Sequence, residues 1–150
     1  DGVVFDSMAA PPIFSPALYR LHVLPLHQQI FTGLEKSGQT ERELVIGGNT
    51  TMIAPMLKEC GANILLCDFA AEASAFRSAF GEDTGFSIRR NINPSRLLDP
   101  DKHQILDTFI HDLNHFTHPI AGTGIVPYDF PSKKLQQFRA DLTSTLADLK

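Results

Sequence analysis

The sequence has few basic residues and no long apolar segment. Its 150 residues include 13 Lys and Arg against 17 Asp and Glu, and the formal net charge is −4. Arg89-Arg90 and Lys133-Lys134 are the only adjacent basic pairs. That is too little for a surface that follows a phosphate backbone, so we expect no nucleic-acid partner. No run of 18 apolar residues occurs, so we also expect no membrane-spanning helix.

Cysteine is scarce as well, with Cys60 and Cys67 the only two in the chain. Cys60 precedes Gly61 at the predicted end of a helix, and Cys67 ends an apolar segment, so their positions do not indicate a disulfide. Two separate packed thiols are typical of proteins in a reducing compartment. We therefore predict a cytoplasmic protein with two free cysteines.

Five short apolar segments are bounded by turn residues and are too short to form helices. They lack the alternation of apolar and polar residues that a strand with one wet face shows, so they predict strands buried on both faces of a parallel sheet. The segments are Gly2–Phe5, Leu44–Ile46, Ile64–Cys67, Phe86–Ile88 and Pro119–Ala121.

Helical patterns separate these segments. The first helix begins at Ser15-Pro16, carries Leu18, Leu21, Ile30 and Leu34, and is expected to kink at Pro25. The others are predicted from Thr50 or Thr51 to Gly61, over Ala70–Phe80, over Pro100–Phe116, and from a cap at Ser132 to the end of the chain. Strands that alternate with helices predict an α/β fold with right-handed crossovers.

The ends of the predicted strands carry recognisable signatures. They are Val3-Val4-Phe5-Asp6-Ser7, Val45-Ile46-Gly47-Gly48-Asn49-Thr50-Thr51, Leu65-Leu66-Cys67-Asp68, Asn91-Ile92-Asn93-Pro94 and Ile120-Ala121-Gly122-Thr123-Gly124-Ile125. In this order the set resembles the uroporphyrinogen decarboxylase superfamily, which includes the decarboxylase and the corrinoid-dependent methyltransferases. The resemblance covers nearly the whole chain. It implies a (β/α)8 TIM barrel of which residues 1–150 form the C-terminal portion, with the last five strands present and the first three absent.

Details of the signatures favour the methyltransferase branch of this superfamily. In that branch a zinc ion, which activates a thiol acceptor, is held by a His and a Cys two residues apart and by a second Cys in the last glycine-rich turn. This sequence has Val45, Gly47 and Thr123 at those places, and none of them is a usual zinc ligand. We therefore expect no metal and no directly bound cofactor.

The resemblance implies an enzyme that transfers a methyl group from a corrinoid on a partner protein to a small-molecule acceptor. An acceptor such as tetrahydrofolate needs protonation or positioning at nitrogen rather than thiolate activation, which would explain a metal-free site. Two alternatives stay open. One is a decarboxylase of uroporphyrinogen or another carboxylated substrate, and the other is a non-catalytic binding or assembly domain.

Two carboxylates follow apolar strands directly, at the end of the sheet where ligands of α/β proteins bind. Asp6 and Asp68 are predicted to be catalytic, because a carboxylate there can bind a cationic group or serve in acid–base chemistry. The alternative is that each caps the following helix or satisfies N–H groups of a loop.

Substrate-binding residues are predicted at the same strand ends. Ser7 matches the serine that contacts the porphyrinogen in the decarboxylase branch. Asn49 and Asn91 could donate to a substrate carboxylate, although Asn is equally common in turns. Thr123 and Gly124 belong to a glycine-rich turn whose backbone N–H groups could approach a ligand closely.

Three histidines at helical spacing, His111, His115 and His118, could suggest a metal site when viewed alone. They lie where a helix leads into the start of a strand, which is the rim opposite the catalytic mouth. His22 and His27 lie on a predicted outer helix. None of these five is therefore predicted to have a functional role.

Five strands cannot close a barrel, which needs a fixed number of strands at a fixed tilt. The inner face of the sheet and both edge strands would then be exposed, and bare edges invite pairing with another chain. We therefore predict that the chain is part of a longer polypeptide or covers its open side by self-association.

Overall fold

The structure is a computed structural model that describes residues 1–98 and 102–148. Five parallel strands form one sheet in the order β1-β2-β3-β4-β5, so each strand pairs with the next strand along the chain. The strands are β1 (Gly2–Phe5), β2 (Arg42–Val45), β3 (Ile64–Cys67), β4 (Ser87–Ile92) and β5 (Pro119–Thr123). The predicted α/β class and parallel sheet are confirmed. The sequential strand order is consistent with part of a TIM barrel.

Helical segments connect the strands. They are α1 (Pro16–Leu18), a π-helical turn (Tyr19–Val23), α2 (Leu24–Lys36), a 3-10 turn (Thr51–Ile53), α3 (Ala54–Leu57), α4 (Ala73–Phe80), a 3-10 turn (Pro94–Leu98), α5 (Lys102–Leu113) and α6 (Ser132–Asp148). The predicted helix start at Pro100 lies outside the described residues. Within them, no helix combines the length and the apolar character needed to cross a bilayer.

The first helical segment begins as predicted and then departs from a regular α-helix. The Ser15 Oγ accepts a hydrogen bond from the Leu18 N–H at 3.3 Å. The Leu24 N–H then donates to the Tyr19 carbonyl, which closes the wider π-helical turn. Because Pro25 has no N–H to donate, the regular α-helical ladder is interrupted there. The irregularity expected at Pro25 therefore occurs in the turn before it.

Strand β4 is longer than its apolar residues predict, because two arginines in it have partners. Arg90 donates to the carbonyls of Asp68 and Ala71, at 2.7 and 2.9 Å, and to the Asp112 carboxylate at 2.9 Å. These bonds satisfy a largely buried guanidinium group. The prediction of Phe86–Ile88 was therefore wrong at its C-terminal end, which lies at Ile92.

The helices pack on one face of the sheet, where Leu44, Leu65 and Ile88 are paired neighbours on adjacent strands and belong to the main buried cluster. The other face is less protected. Phe5 is 76% exposed there, and Val3 is also exposed. The expectation that every strand is buried on both faces is therefore wrong for β1, and it is also wrong for β5, which has no buried residue.

Candidate functional site

A groove of about 750 Å³ lies over the carboxyl ends of the strands. We call it the strand-end groove. All five strands, or the turns that follow them, contribute to its lining, which consists of Phe5, Ser7, Val45, Gly47, Gly48, Leu66, Asp68, Phe69, Arg89, Asn91, Asn93, Pro94, Ser95, Thr123, Gly124, Ile125 and Pro127. Five predicted site residues, Ser7, Asp68, Asn91, Thr123 and Gly124, thus line one groove. The predicted residues Asp6 and Asn49 are not part of this lining.

Asp68 is the carboxylate of the strand-end groove, and it is only 7% exposed. Its Oδ2 accepts a hydrogen bond from the Gly48 N–H at 2.9 Å. Its Oδ1 accepts one from the Asn91 Nδ2 at 3.2 Å. Both oxygens therefore accept N–H hydrogen bonds.

Asn91 has one hydrogen-bonding atom without a partner. Because a carboxylate only accepts hydrogen bonds, the amide Nδ2 must face Asp68 and the Oδ1 must face away. That Oδ1 is buried and has no hydrogen-bond partner among the described residues. An unsatisfied buried acceptor costs about 1–3 kcal/mol. Such a cost is offset when a ligand or an ordered water donates to the atom.

An ion pair lies beside this amide on the face of the sheet that the helices do not cover. The Arg89 Nη1 lies 3.0 Å from the Glu43 Oε1. Gly122 on β5 makes room for both groups: a Cβ there would lie 2.5 Å from the Asn91 Oδ1 and 2.9 Å from the Arg89 Nε. Arg89 is not among the site residues predicted from the sequence. The predicted strand ended at Ile88, before both arginines. Because side chains alternate between the faces of a strand, a longer prediction would have placed Arg89 and Arg90 on opposite faces.

Asp6 lies at the end of β1, but its carboxylate is held by the helical layer. Its Oδ2 lies 3.0 Å from the His27 Nε2, and its Oδ1 accepts a hydrogen bond from the Met8 N–H at 3.1 Å. The His27 Nδ1 in turn lies 3.1 Å from the Tyr19 hydroxyl. Because Asp6 can only accept, the consistent arrangement has Nε2–H donating to Asp6 and the Tyr19 O–H donating to Nδ1.

Burial shifts the pKa values of two of these three side chains, His27 and Tyr19. It lowers the pKa of His27, against a smaller raising effect of the hydrogen bond and charge of Asp6. It raises the pKa of Tyr19. No role was predicted for His27. Four residues at a spacing of four are nevertheless all buried: Tyr19, Val23, His27 and Phe31. Residues four apart lie on the same face of a helix, so this spacing predicts a buried helix face that includes His27.

The other predicted residues differ in their surroundings. Asn49 is exposed, and its Oδ1 accepts a hydrogen bond from the Thr51 N–H at 3.1 Å, so it serves the following turn. Ser7 is exposed at the edge of the strand-end groove. The Gly124 N–H donates to the Ile92 carbonyl at 3.0 Å, and a Cβ on Gly124 would lie 2.7 Å from the Phe69 ring.

The positions that correspond to zinc ligands converge in the strand-end groove. Val45, Gly47 and Thr123 all line it. Their side chains offer one hydroxyl group and no thiolate, imidazole or carboxylate, so this set does not fit a zinc ion. Within residues 1–98 and 102–148, no group of three or more His, Cys, Asp or Glu side chains is placed to hold a metal.

The chain matches no protein-family model. It is similar to the uroporphyrinogen decarboxylase of Pelobacter propionicus, with 26% identity over an alignment of 124 residues that covers 75% of this chain and 35% of that protein. The chain thus spans about a third of the length of this curated relative. This distant similarity supports a relationship at the level of the uroporphyrinogen decarboxylase superfamily.

Proposed function

We propose that this chain carries the acceptor-binding groove of an enzyme that transfers a methyl group from a corrinoid on a partner protein to a nitrogen atom of a small molecule. The observation that carries the proposal is the Asp68 carboxylate, which lines the strand-end groove and accepts N–H hydrogen bonds on both oxygens. Asn91 supports it with a second acceptor atom that lacks a partner. A ligand with N–H groups can donate to both residues.

The chemistry of nitrogen methylation needs a group of this kind. A methylated corrinoid on the partner protein would supply an electrophilic methyl group, and its metal would keep the electron pair of the carbon–metal bond as the leaving group. The acceptor nitrogen must keep its lone pair free for the attack and must lose its hydrogen as a proton. Asp68 binds that N–H, orients the lone pair toward the methyl group and receives the proton.

A thiol acceptor fits the strand-end groove less well. A thiol reacts as the thiolate, which a metal ion or a basic neighbour must stabilise. The residues at the zinc-ligand positions are Val45, Gly47 and Thr123, and the cation of the lining, Arg89, is already paired with the Glu43 carboxylate. The volume of about 750 Å³ lies within the usual range for small-molecule sites, so the groove suits the acceptor, and the corrinoid would approach from its open side.

The experiment compares acceptors with one methyl donor. The purified chain is incubated with methylcobalamin and either tetrahydrofolate or a simple thiol such as mercaptoethanesulfonate. Loss of methylcobalamin absorption and the mass of the methylated product are recorded. We expect transfer to tetrahydrofolate and none to the thiol above the rate without protein. Transfer to the thiol alone would contradict the proposal.

Decarboxylation is a second candidate, favoured by the name of the Pelobacter propionicus relative. Release of carbon dioxide from uroporphyrinogen by the chain, with no methyl transfer to either acceptor, would establish this candidate over methyl transfer. If neither reaction occurs but the chain binds a corrinoid protein in a pull-down, a non-catalytic binding or assembly role remains.

A further inference from the structure

Arg89 places a positive charge in the strand-end groove and is held there by a second side chain. Its side chain is 32% exposed, and it reaches across β3 to Glu43, which is 17% exposed. The contact joins the Arg89 Nη1 to the Glu43 Oε1 at 3.0 Å. Glu43 therefore fixes the position of the guanidinium group in the lining of the groove.

The Nε and Nη2 atoms of this guanidinium group have no side-chain acceptor among the described residues, and Arg89 lines the groove. A guanidinium is planar, and its Nε and Nη2 hydrogens form one edge that matches the two oxygens of a carboxylate. Among the described residues, Glu43 is the only side chain to which Arg89 donates, and it takes Nη1. A side chain at position 122 would cover Nε, because a Cβ there would lie 2.9 Å from it, and Gly122 has none.

We propose that the Nε–Nη2 edge of Arg89 binds a carboxylate group of the small molecule that occupies the strand-end groove. This inference rests on the proposed function in one respect, namely that a small molecule occupies the strand-end groove, and it adds a chemical group of that molecule. The ligand then carries two kinds of group: an N–H that meets Asp68 and a carboxylate that meets Arg89. The Glu43 carboxylate orients Arg89 in advance, which lowers the entropic cost of binding.

The test observes Arg89 directly. The chain is labelled with ¹⁵N-arginine, and the Nε–Hε signals are followed during titration with glutarate, with its uncharged analogue glutaramide as the matched probe. The Arg89 signal is assigned by its absence in Arg89→Gln. We expect a saturable shift of that signal with glutarate, and at least about tenfold weaker binding of glutaramide, because a carboxylate gives stronger bonds to guanidinium than an amide does.

One internal control and one variant sharpen the result. Arg20 also pairs with a glutamate, Glu59 at 3.1 Å, but its side chain is 54% exposed and lies outside the groove lining, so its signal serves as the internal control. Glu43→Gln keeps an oxygen that can accept from the Arg89 Nη1, so the orientation of Arg89 is retained, and it removes the competing negative charge. Glutarate should therefore bind this variant more tightly than wild type. Wild-type affinity in Glu43→Gln would overturn the proposal, and so would equal shifts at Arg20 and Arg89 or no shift at Arg89.

The titration contains no corrinoid and no methyl acceptor. Failure of methyl transfer therefore leaves its outcome unchanged. Conversely, the chain could methylate tetrahydrofolate while the Arg89 signal shows no shift with glutarate. The proposed function would then stand, and this inference would be wrong.

Discussion

Asp6 and His27 are joined by a hydrogen bond of 3.0 Å between Oδ2 and Nε2, and this contact turns the carboxylate of β1 toward the helical layer. Asp68, at the end of β3, instead accepts hydrogen bonds from Gly48 and Asn91 in the lining of the strand-end groove. Two aspartates at equivalent strand ends therefore serve different parts of the molecule. A catalytic role for Asp6 stays a prediction without support from its position, whereas the position of Asp68 favours one.

Removal of the Tyr19 hydroxyl should destabilise the fold. In Tyr19→Phe the buried His27 Nδ1 loses its donor, and an unsatisfied buried acceptor costs about 1–3 kcal/mol. Urea denaturation measures the free energy of unfolding. Tyr128→Phe, at a fully exposed tyrosine, is the control and should change stability by less than about 0.5 kcal/mol. Equal effects of the two variants would mean that the hydrogen bond at 3.1 Å contributes nothing.

The stability of the chain should fall in mild acid because of His27. Burial lowers its pKa below the ordinary value of 6.5. At pH values between the folded-state pKa of His27 and 6.5, the unfolded chain binds more protons than the folded chain. The free energy of unfolding therefore rises with pH in this range. The contribution of His27 is complete above pH 6.5 and is lost as the pH falls through that value toward the folded pKa.

This pH dependence can be assigned by substitution. Urea midpoints at several pH values between 5 and 8 should show a shallower slope for His27→Gln than for wild type. Asp6 and Tyr19, the groups that face His27, remain present in this variant. His22→Gln, at an exposed position of the same helical segment, should keep the wild-type slope. A His27→Gln slope equal to that of wild type would assign the acid sensitivity to another group.

Gly122→Ala should damage the strand-end groove. The added Cβ would lie 2.5 Å from the Asn91 Oδ1 and 2.9 Å from the Arg89 Nε, so both side chains must move. We expect a loss of about 1–3 kcal/mol of stability from overpacking, together with loss of glutarate binding at Arg89.

Gly33→Ala is the matched control for this substitution. Gly33 lies in α2, and a Cβ there meets no atom within 4 Å. Alanine is the better helix former by about 0.5–1 kcal/mol, so this variant should gain stability and keep the groove intact. If Gly122→Ala were as stable as Gly33→Ala and bound glutarate normally, the close approach at β5 would have no consequence.

The isolated 150 residues should sediment as a dimer or a larger species. Phe5 and Val3 are exposed on the face of the sheet that the helices do not cover, and burying such a side chain gains roughly 1.5–3 kcal/mol. Phe5→Ser should therefore weaken association, whereas Tyr128→Ser, at an exposed aromatic residue outside the sheet, should not. A cooperatively melting monomer at micromolar concentration would contradict this prediction.

The strands were largely predictable because short apolar segments between turn residues have few alternative structures. Gly2–Phe5 and Ile64–Cys67 agree at both ends. The extension of β4 to Ile92 was not predictable from hydrophobicity, because Arg90 is stabilised in the strand by carbonyl groups and by Asp112. Those partners are supplied by distant parts of the chain.

The candidate site was predictable to the extent that it depends on strand ends. Asp68, Asn91 and Thr123 follow the rule that parallel strands bring their carboxyl ends together, and all three line the groove. Asp6 obeys the same rule, yet its carboxylate is directed by His27. The buried face of the helical region between β1 and β2 was predicted from Leu18, Leu21, Ile30 and Leu34. Leu18 and Leu21 are exposed, whereas His27 is buried.

The most direct test of the account compares Asp68→Asn with Asp6→Asn in transfer of a methyl group from methylcobalamin to tetrahydrofolate. Loss of a general base typically costs 10²–10⁴-fold in rate, so we expect Asp68→Asn to be slower than wild type by at least about 100-fold. Asp6→Asn should keep the wild-type rate within about threefold wherever it is folded, since its carboxylate lies outside the groove lining. The opposite ranking of these two variants, or equal rates for Asp68→Asn and wild type, would contradict the assignment of Asp68 as the base that serves the strand-end groove.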